Sequence, residues 1–449
     1  MQDTLVLILA AGMGTRMNSD TIKVLHKIAG RPMITYVLDQ AEKISEKIIC
    51  VVGHQSEKVK NELKEYENLK FVYQKEQLGT GHAVKQAQDD IEKHNGPVLI
   101  LYGDTPLLKH DTLESLISKH SQENAGMTVL TSYLEDPSGY GRIIKDKEGC
   151  IIDIIEDQDA NSEVKKINEI NSGLYCFSSN LLFEALNRID NDNNQGEYYL
   201  PDTIDYIKEK SKVINKNVEK QEIIGVNDRI DLANVENIIH QRINYKHMEK
   251  GITLIDPDST YIERDVILEK DVIIYPNNYI KSGTKIKQGS IIESNCFIDN
   301  SLISEEVNVK HGSVILNSEI NKNSNVGPYA YLRPKTKIGA NCRIGNFVEL
   351  KKSVVGDESK VPHLSYVGNA TIGKNCNIGA GTVFANYDGV NKHETILGDD
   401  VFIGSNTTIV APVKLGNNSK TGAGSVVTKD VDSNSVVLGV PARLYKKNN

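Results

Sequence analysis

Residues 261–298 read YIERDVILEKDVIIYPNNYIKSGTKIKQGSIIESNCFI, and apolar residues recur there at every sixth position: Ile262, Leu268, Ile274, Ile280, Ile286, Ile292 and Ile298. A step of six fits neither the 3.6-residue period of an α-helix nor the two-residue alternation of a hairpin sheet. It fits a triangular coil of parallel strands. Such a coil has three short strands and about eighteen residues per rung, with rungs stacked about 4.8 Å apart by parallel pairing and one apolar side chain per face pointing inward. With occasional steps of five, the series runs on through Ile303, Val309, Ile315, Ile320, Val326, Leu332, Ile338, Ile344, Leu350, Val355, Val361, Val367, Ile372, Ile378 and Phe384. After an interruption it resumes at Leu397, Ile403, Ile409, Leu415, Thr421 and Val427.

The corners of such a coil need residues that tolerate positive φ. Three places after each inward residue stand Asp265, Asp271, Asn277, Gly283, Gly289 and Asn295, then Gly312 and Asn323, and later Asn375, Gly381, Asp400, Asn406, Asn418 and Gly424. Gly, Asn and Asp are the residues that accept the left-handed region. Between 329 and 370 the same slot holds Tyr329, Lys335, Phe347, Ser353, Glu358, Leu364 and Ala370, and only Asn341 obeys. A local rule tends to lapse where function intervenes. The interval ANYDGVNKHETI between Phe384 and Leu397 reads as a loop thrown out from the coil.

Upstream the pattern is different. Short apolar or β-branched runs at 5–9, 47–52, 71–74, 98–101 and 127–134 alternate with amphipathic stretches at 56–66, 81–93 and 111–120. That alternation predicts a mainly parallel sheet covered by helices, a Rossmann-like α/β domain over 1–226, with further strands in 142–155, 169–177 and 212–225. Leu232, Val235, Ile239 and Ile243 form one stripe of a connecting helix over 227–250. The coil domain follows over 251–449.

The chain has 449 residues, 39% hydrophobic and 25% charged, and a net charge of −8. This balance is globular and argues against general nucleic-acid binding. No apolar run nears the roughly 18–20 residues that span a bilayer. The six cysteines form no CxxC pair, a pattern that suits reduced thiols in a cytoplasm rather than a disulfide framework or zinc site.

After the strand at 5–9 comes Ala10-Ala11-Gly12-Met13-Gly14-Thr15-Arg16-Met17. Small residues let backbone N–H groups approach phosphates, and Arg16 and Lys23 add positive charge. A tight strand-to-helix turn is the plainer alternative. Met17 stands where a dinucleotide fingerprint needs its third glycine, which disfavours an NAD site. Asp104 ends a strand at the carboxyl edge of the sheet, where open α/β folds bind ligands; a helix cap is the alternative there.

In the coil, Arg333 and Lys351 each follow an inward leucine and lie eighteen apart, so one stands above the other. A solvated face would let them splay. An anion held between them gives the stacking a reason, because two cations about 5 Å apart repel by roughly 3 kcal/mol at an effective dielectric near 20. Glu349 and Tyr366, seventeen apart across one five-residue step, are also vertical neighbours. His363 lies on the preceding face. A single histidine is more often structural, but this one lies where the corner rule lapses, beside a carboxylate and two cations. Ser405 and Ala423 stack eighteen apart as well.

The string Leu9-Ala10-Ala11-Gly12-x-Gly14-Thr15-Arg16-Met17, followed by Lys23-Val24-Leu25-His26, resembles the sugar-phosphate nucleotidyltransferases. Gln77-Leu78-Gly79-Thr80-Gly81-His82-Ala83, Tyr102-Gly103-Asp104-Thr105-Pro106-Leu107 and Gly139-Tyr140-Gly141-Arg142-Ile143 strengthen the likeness. Joined to a left-handed hexapeptide β-helix, these strings resemble, over essentially the whole chain, the bifunctional members that pair an N-acetylglucosamine-1-phosphate uridylyltransferase with a glucosamine-1-phosphate acetyltransferase. The resemblance implies uridine-nucleotide and sugar contacts from Leu9, Ala10, Ala11, Gly12, Arg16, Lys23, Gln74, Gly79, Thr80, Tyr102, Gly103, Asp104, Gly141, Glu156, Asn171 and Asn227. It implies Mg²⁺ held by Asp104 and Asn227, with UTP and acetyl-CoA as co-substrates.

In the β-helix the resemblance implies His363 as general base with Glu349 orienting it. It gives Arg333, Lys351, Tyr366, Asn377 and Lys392 to the sugar phosphate, and Ala380, Asn386, Tyr387, Ser405, Ala423 and Arg443 to acetyl-CoA. It also implies a cytoplasmic homotrimer with sites at the seams. Two departures stand out: Ile22, where the family more often has Pro, and Pro201 within Gly196-Glu197-Tyr198-Tyr199-Leu200-Pro201-Asp202. A β-helix that only oligomerises or regulates is the nearest rival reading, and the set of His363, Arg333, Lys351 and Tyr366 argues against it. A non-catalytic scaffold is the other, and it would have no reason to keep Gly12, Arg16, Lys23 and Asp104 together.

Overall fold

The computed structural model describes residues 3–193 and 195–447; the outermost ends of the two expected domains, 1–2 and 448–449, lie outside them. The chain divides into compact units at 1–237 and 238–449, inside the helix Arg229–Met248 rather than at its ends. Hydrogen bonds explain the place. Glu236 accepts from the Ala29 N–H of the first unit, whereas Asn244 donates to the Pro257 and Thr260 carbonyls of the second. Of the expected stripe, Val235 and Ile239 are buried, and Leu232 and Ile243 are half-buried.

The first unit is built on a sheet ordered Val213–Asn217, Met127–Tyr133, Glu169–Ser178, Pro97–Tyr102, Leu5–Ala10, Ile48–Val52 and Leu69–Tyr73. Pairing is parallel except along Glu169–Ser178, which runs antiparallel to both neighbours. Leu5–Ala10 is buried throughout because both sheet faces are covered. Leu5, Leu7 and Leu9 pack with Val84, Ile91, Leu182 and Ile204 on one side, while Val6, Ile8 and Ala10 pack with Ile34, Leu38, Leu113 and Leu116 on the other. The stretch 81–93 is two helices, Thr80–Lys85 and Gln88–Glu92, because the first tightens as Ala87 N–H donates to the Val84 carbonyl. Strand order reverses at Leu5–Ala10, whose sequence successors lie on opposite sides of it. The crevice at its carboxyl end is the topological switch point.

The second unit is the triangular coil. Three sheets of twelve, ten and nine strands run up its faces, parallel except for the terminal pair Ser435–Leu438 and Arg443–Lys447. The register is the expected one: Ile262 pairs with Ile280, Leu332 with Leu350, and Ile338 with Val355 across a shortened step. The inward residues form one continuous core. The corners refine the sequence rule. Every slot named from Asp271 to Gly424 that holds Gly, Asn or Asp has positive φ, whereas Asp265 does not. Tyr329, Lys335, Phe347, Glu358 and Leu364 adopt it too, so the rule lapses there in residue type and not in backbone shape. Ser353 and Ala370 are spared because a five-residue step moves the left-handed residue one place earlier, to Lys352 and Asn369. All six cysteines are free. Among the described residues no helix is long and apolar enough to cross a membrane.

Candidate active sites

A cavity of about 360 Å³ opens at the switch point of the first unit. Leu9, Ala10, Ala11, Gly12, Lys23, Gln74, Gly79, Thr80, Tyr102, Asp104 and Asn227, the residues the resemblance pointed to, all line it; Val24, Gln77, Ala83 and Glu197 are additions. Gly79 sits at φ 102, and a Cβ there would meet the Tyr198 carbonyl at 2.6 Å, so only glycine fits. Gln74 is buried and donates to the Gly79 carbonyl at 3.2 Å, which ties the two lips together. Ile22 takes φ −57 and ψ 135, a backbone shape that proline would also adopt, so the departure leaves the approach to Lys23 unchanged.

Charge is arranged in pairs. Lys23 forms an ion pair with Asp104, their side chains 15% and 16% exposed. Arg16 Nη2 donates to Asn227 Oδ1 at 2.9 Å. The carboxylate and the amide oxygen that the resemblance gives to a metal thus both already face a cation. Few, hard oxygen donors are the set that suits Mg²⁺, which keeps several waters. No group of three or more His, Cys, Asp or Glu is arranged for a metal among the described residues, so a cation here rests on few protein ligands.

Gly141, Glu156 and Asn171 cluster beside this cavity. Asn171 N–H donates to the Gly141 carbonyl at 2.8 Å, and a Cβ on Gly141 would meet Glu156 Oε1 at 3.1 Å. Glu156 lines a neighbouring acidic cavity of about 390 Å³ with Pro201 and Asp202. Burial, then the charges of Asp159 and Asp157, raises its carboxyl above the usual range. Burial followed by Asp205 and other carboxylates pushes Asp202 up to about 6. Gly103 serves through its backbone, its N–H donating to the Leu9 carbonyl at 3.0 Å.

The second site lies along one corner of the β-helix. Asn346 and His363 are paired in register across two rungs. The column continues upward. Gly381 N–H donates to the His363 carbonyl, Asn406 N–H to Ala380, and Gly424 N–H to Ser405, which stacks His363, Ala380, Ser405 and Ala423. Each residue of this column directly precedes a left-handed corner residue, namely Phe347, Leu364, Gly381, Asn406 and Gly424. Beyond Ala423 the terminal hairpin sets Arg443 opposite Leu438, whose Cβ lies over Gly422.

On the next face Glu349 pairs with Tyr366, and the Arg333 N–H donates to the Leu350 carbonyl, so the vertical neighbours are those the spacing gave. Lys392, on the ejected loop, stands close to Lys351. It is the main cause, ahead of Arg333, of a Lys351 ammonium held below the ordinary lysine range. Three cations therefore converge. Tyr366 reaches the same place, and its hydroxyl and the Asn386 amide both lie where a Cβ on Gly368 would be. Asn377 stands apart on the preceding face, between Lys360 and Phe402.

The partner of His363 is Asn346, whose Oδ1 lies 2.7 Å from Nδ1. Glu349 instead accepts from Arg333 at 2.8 Å. An amide oxygen on Nδ1 fixes the proton there and leaves Nε2 as the basic nitrogen. Asn346 precedes His363 by seventeen residues across one five-residue step, the same spacing that pairs Glu349 with Tyr366, so the rung arithmetic contained it.

The model for a nucleotidyl transferase matches residues 5–223 and that for a GMPPB C-terminal domain matches 314–419. A bifunctional protein GlmU of Thermoanaerobacter pseudethanolicus is 49% identical over 440 residues, covering 98% of this chain and 95% of that protein. That of Clostridium beijerinckii is 48% identical over 444 residues, covering 98% and 96%. The chain belongs to the GlmU bifunctional protein family. Among solved structures, a UDP-glucose pyrophosphorylase complexed with UDP-glucose covers 54% of this chain at 23% identity and a TM-score of 0.45. Membership in the GlmU family fits two sites in one chain, one in each compact unit. The nucleotidyl transferase match spans the cavity of Lys23 and Asp104 up to the start of the long helix, and Asn227 follows just beyond it.

Proposed function

We propose that the second unit acetylates glucosamine 1-phosphate from acetyl-CoA, and that the first transfers UMP from UTP to the resulting N-acetylglucosamine 1-phosphate. The products are UDP-N-acetylglucosamine and pyrophosphate. The observation that carries this reading is the Asn346–His363 pair beside the converging Arg333, Lys351 and Lys392. A β-helix that served only to assemble subunits would have no use for an oriented imidazole beside three cations that share the single carboxylate of Glu349.

In the acetyl transfer, the cations and Tyr366 hold the sugar phosphate. The substrate amine then attacks the thioester carbonyl: the C–N bond forms and the C–S bond breaks. His363 Nε2 takes the proton that the nitrogen must lose, and the same proton is available to the departing thiolate. The small residues Ala380, Ser405 and Ala423 leave a groove along the corner in which an extended pantetheine fits. Asn386, Tyr387 and Arg443 flank it, and Asn377 reaches the sugar from the preceding face.

In the uridylyl transfer, an oxygen of the sugar 1-phosphate attacks the α-phosphorus of UTP in line, and the bond to pyrophosphate breaks. Chemistry of this kind rests on positioning and charge neutralisation. Lys23 and Arg16 bind phosphate. Backbone N–H groups of the 10–14 loop supply further donors, Gln74, Gly79 and Thr80 hold the base, and Gly141, Glu156 and Asn171 face the sugar. Asp104 and Asn227 would hold Mg²⁺, which supplies further neutralisation of the phosphates. The enzyme works in the cytoplasm as a homotrimer.

Replacement of the base tests the division of labour. His363→Ala should lower acetyl transfer by about 10²–10⁴-fold, the usual contribution of a general base, and leave uridylyl transfer within twofold. Loss of both activities in a folded protein would show that the sites are not separate.

A further inference from the structure

The ejected loop carries Lys392 to Lys351 against the repulsion of two other cations, so something must hold it there. Its ends close as a small hairpin: Tyr387 bridges Lys392, and His393 N–H donates to the Asn386 carbonyl at 2.8 Å. A lone two-stranded hairpin is marginal in water. Here it is reinforced from inside. One oxygen of Asp388 accepts from the N–H groups of Val390 at 2.7 Å and Asn391 at 2.6 Å. The other lies 2.6 Å from His393 Nε2. Lys392 is thus held between its bridge to Tyr387 and the adjacent His393, which is tied both to the Asn386 carbonyl and to Asp388.

We propose that His393, acting through Asp388, is a positioning residue for the acetyl-transfer site: it braces the hairpin so that Lys392 completes the phosphate clamp with Arg333 and Lys351. This rests on the reading that the clamp binds the sugar phosphate. His393 touches no substrate in this scheme. Its effect falls on binding, because the hairpin must otherwise be ordered when the phosphate arrives.

The experiment uses the full-length protein and steady-state acetyl transfer with glucosamine 1-phosphate and acetyl-CoA. His393→Ala should raise KM for glucosamine 1-phosphate roughly three- to tenfold, the scale of one lost hydrogen bond, with kcat changed less than twofold and uridylyl transfer unchanged. Hydrogen exchange at the Asp388 and His393 amides should accelerate. His393→Gln, which keeps a donor at the reach of Nε2, should restore most of the KM. Lys392→Ala and Arg333→Ala separate the two ideas. If neither raises this KM, the clamp itself is wrong. If both raise it and His393→Ala does not, the brace is wrong. A Gln variant no better than Ala, or a fall in kcat at constant KM, also overturns the proposal.

Discussion

Removal of the Asn346 side chain isolates the orientation of the base from the base itself. In Asn346→Ala the imidazole remains, but the 2.7 Å contact that holds its Nδ1 proton is gone. A neutral hydrogen bond contributes about 0.5–1.5 kcal/mol, and His363 is exposed at a corner, so freeing its ring adds roughly another 0.5–1 kcal/mol of side-chain entropy to recover in the transition state. At about 1.4 kcal/mol per tenfold, kcat for acetyl transfer should fall roughly five- to sixtyfold. That is less than His363→Ala, and the double variant should be no slower than His363→Ala alone, because orientation has no value without the ring. Asn346→Asp keeps an acceptor for Nδ1–H and should stay within a few fold of the native protein. The assay is release of the CoA thiol at saturating substrates, with uridylyl transfer as internal control. Glu349→Ala supplies the contrast: it unties Arg333 and should move KM for the sugar phosphate rather than kcat. A silent Asn346→Ala together with a Glu349→Ala as slow as His363→Ala would refute the reasoning and return the orienting role to the carboxylate.

Two further outcomes concern the first unit. Asp104→Ala should abolish measurable Mn²⁺ binding in the presence of a non-hydrolysable UTP analogue and leave acetyl transfer unchanged; undiminished Mn²⁺ binding would remove Asp104 from the cation site. His120 is buried among Thr128 and Ser178, and burial lowers its pKa to about 4 from 6.5. A base whose folded pKa is depressed contributes stability that is whole above pH 6.5 and is lost as pH falls toward 4, at most about 3 kcal/mol here. Protection of the Met127–Tyr133 amides against exchange should therefore fall between pH 6.5 and 4 in the native protein and much less in His120→Gln. Equal slopes would assign the acid sensitivity elsewhere.

Much of this was legible in the sequence because the coil is quasi-one-dimensional. A residue's vertical neighbours follow from counting, so the Glu349–Tyr366 pair and the Ser405–Ala423 stack needed no folding calculation. What counting does not give is which of several neighbouring side chains bond to one another. Register sets Asn346 against His363 and brings Glu349 to the rung beside Arg333, but that Glu349 bonds Arg333 while Asn346 bonds His363 depends on rotamers. The first unit was legible differently. Its loop strings sit at the carboxyl ends of parallel strands, so topology gathers them whatever their spacing. Glu197 escaped notice because it arrives from an irregular segment with no period to follow, and Lys23 marked its site better than Glu156 because it opens the short helix Lys23–Leu25 close to the switch-point strand.

The corners of the active column show why the residue rule fails where it does. Left-handed backbone costs an L-residue with a large side chain about 1–2 kcal/mol, yet Phe347 and Leu364 adopt it beside Asn346 and His363. In the three rungs above, the same turn is made by Gly381, Asn406 and Gly424, so the fold does not require the bulk. Tyr329 and Phe347 stack at 5.5 Å and 2°, a contact of about 0.5–1.5 kcal/mol that offsets only part of the two corners' strain. The remainder is accounted for if these side chains, 50% to 60% exposed at Tyr329, Phe347 and Leu364, wall the site against water and set the angle at which Asn346 and His363 leave the corner. The strain then lies one residue from the chemistry, on the same ridge and facing outward, where a change of residue type alters the site without disturbing the inward core.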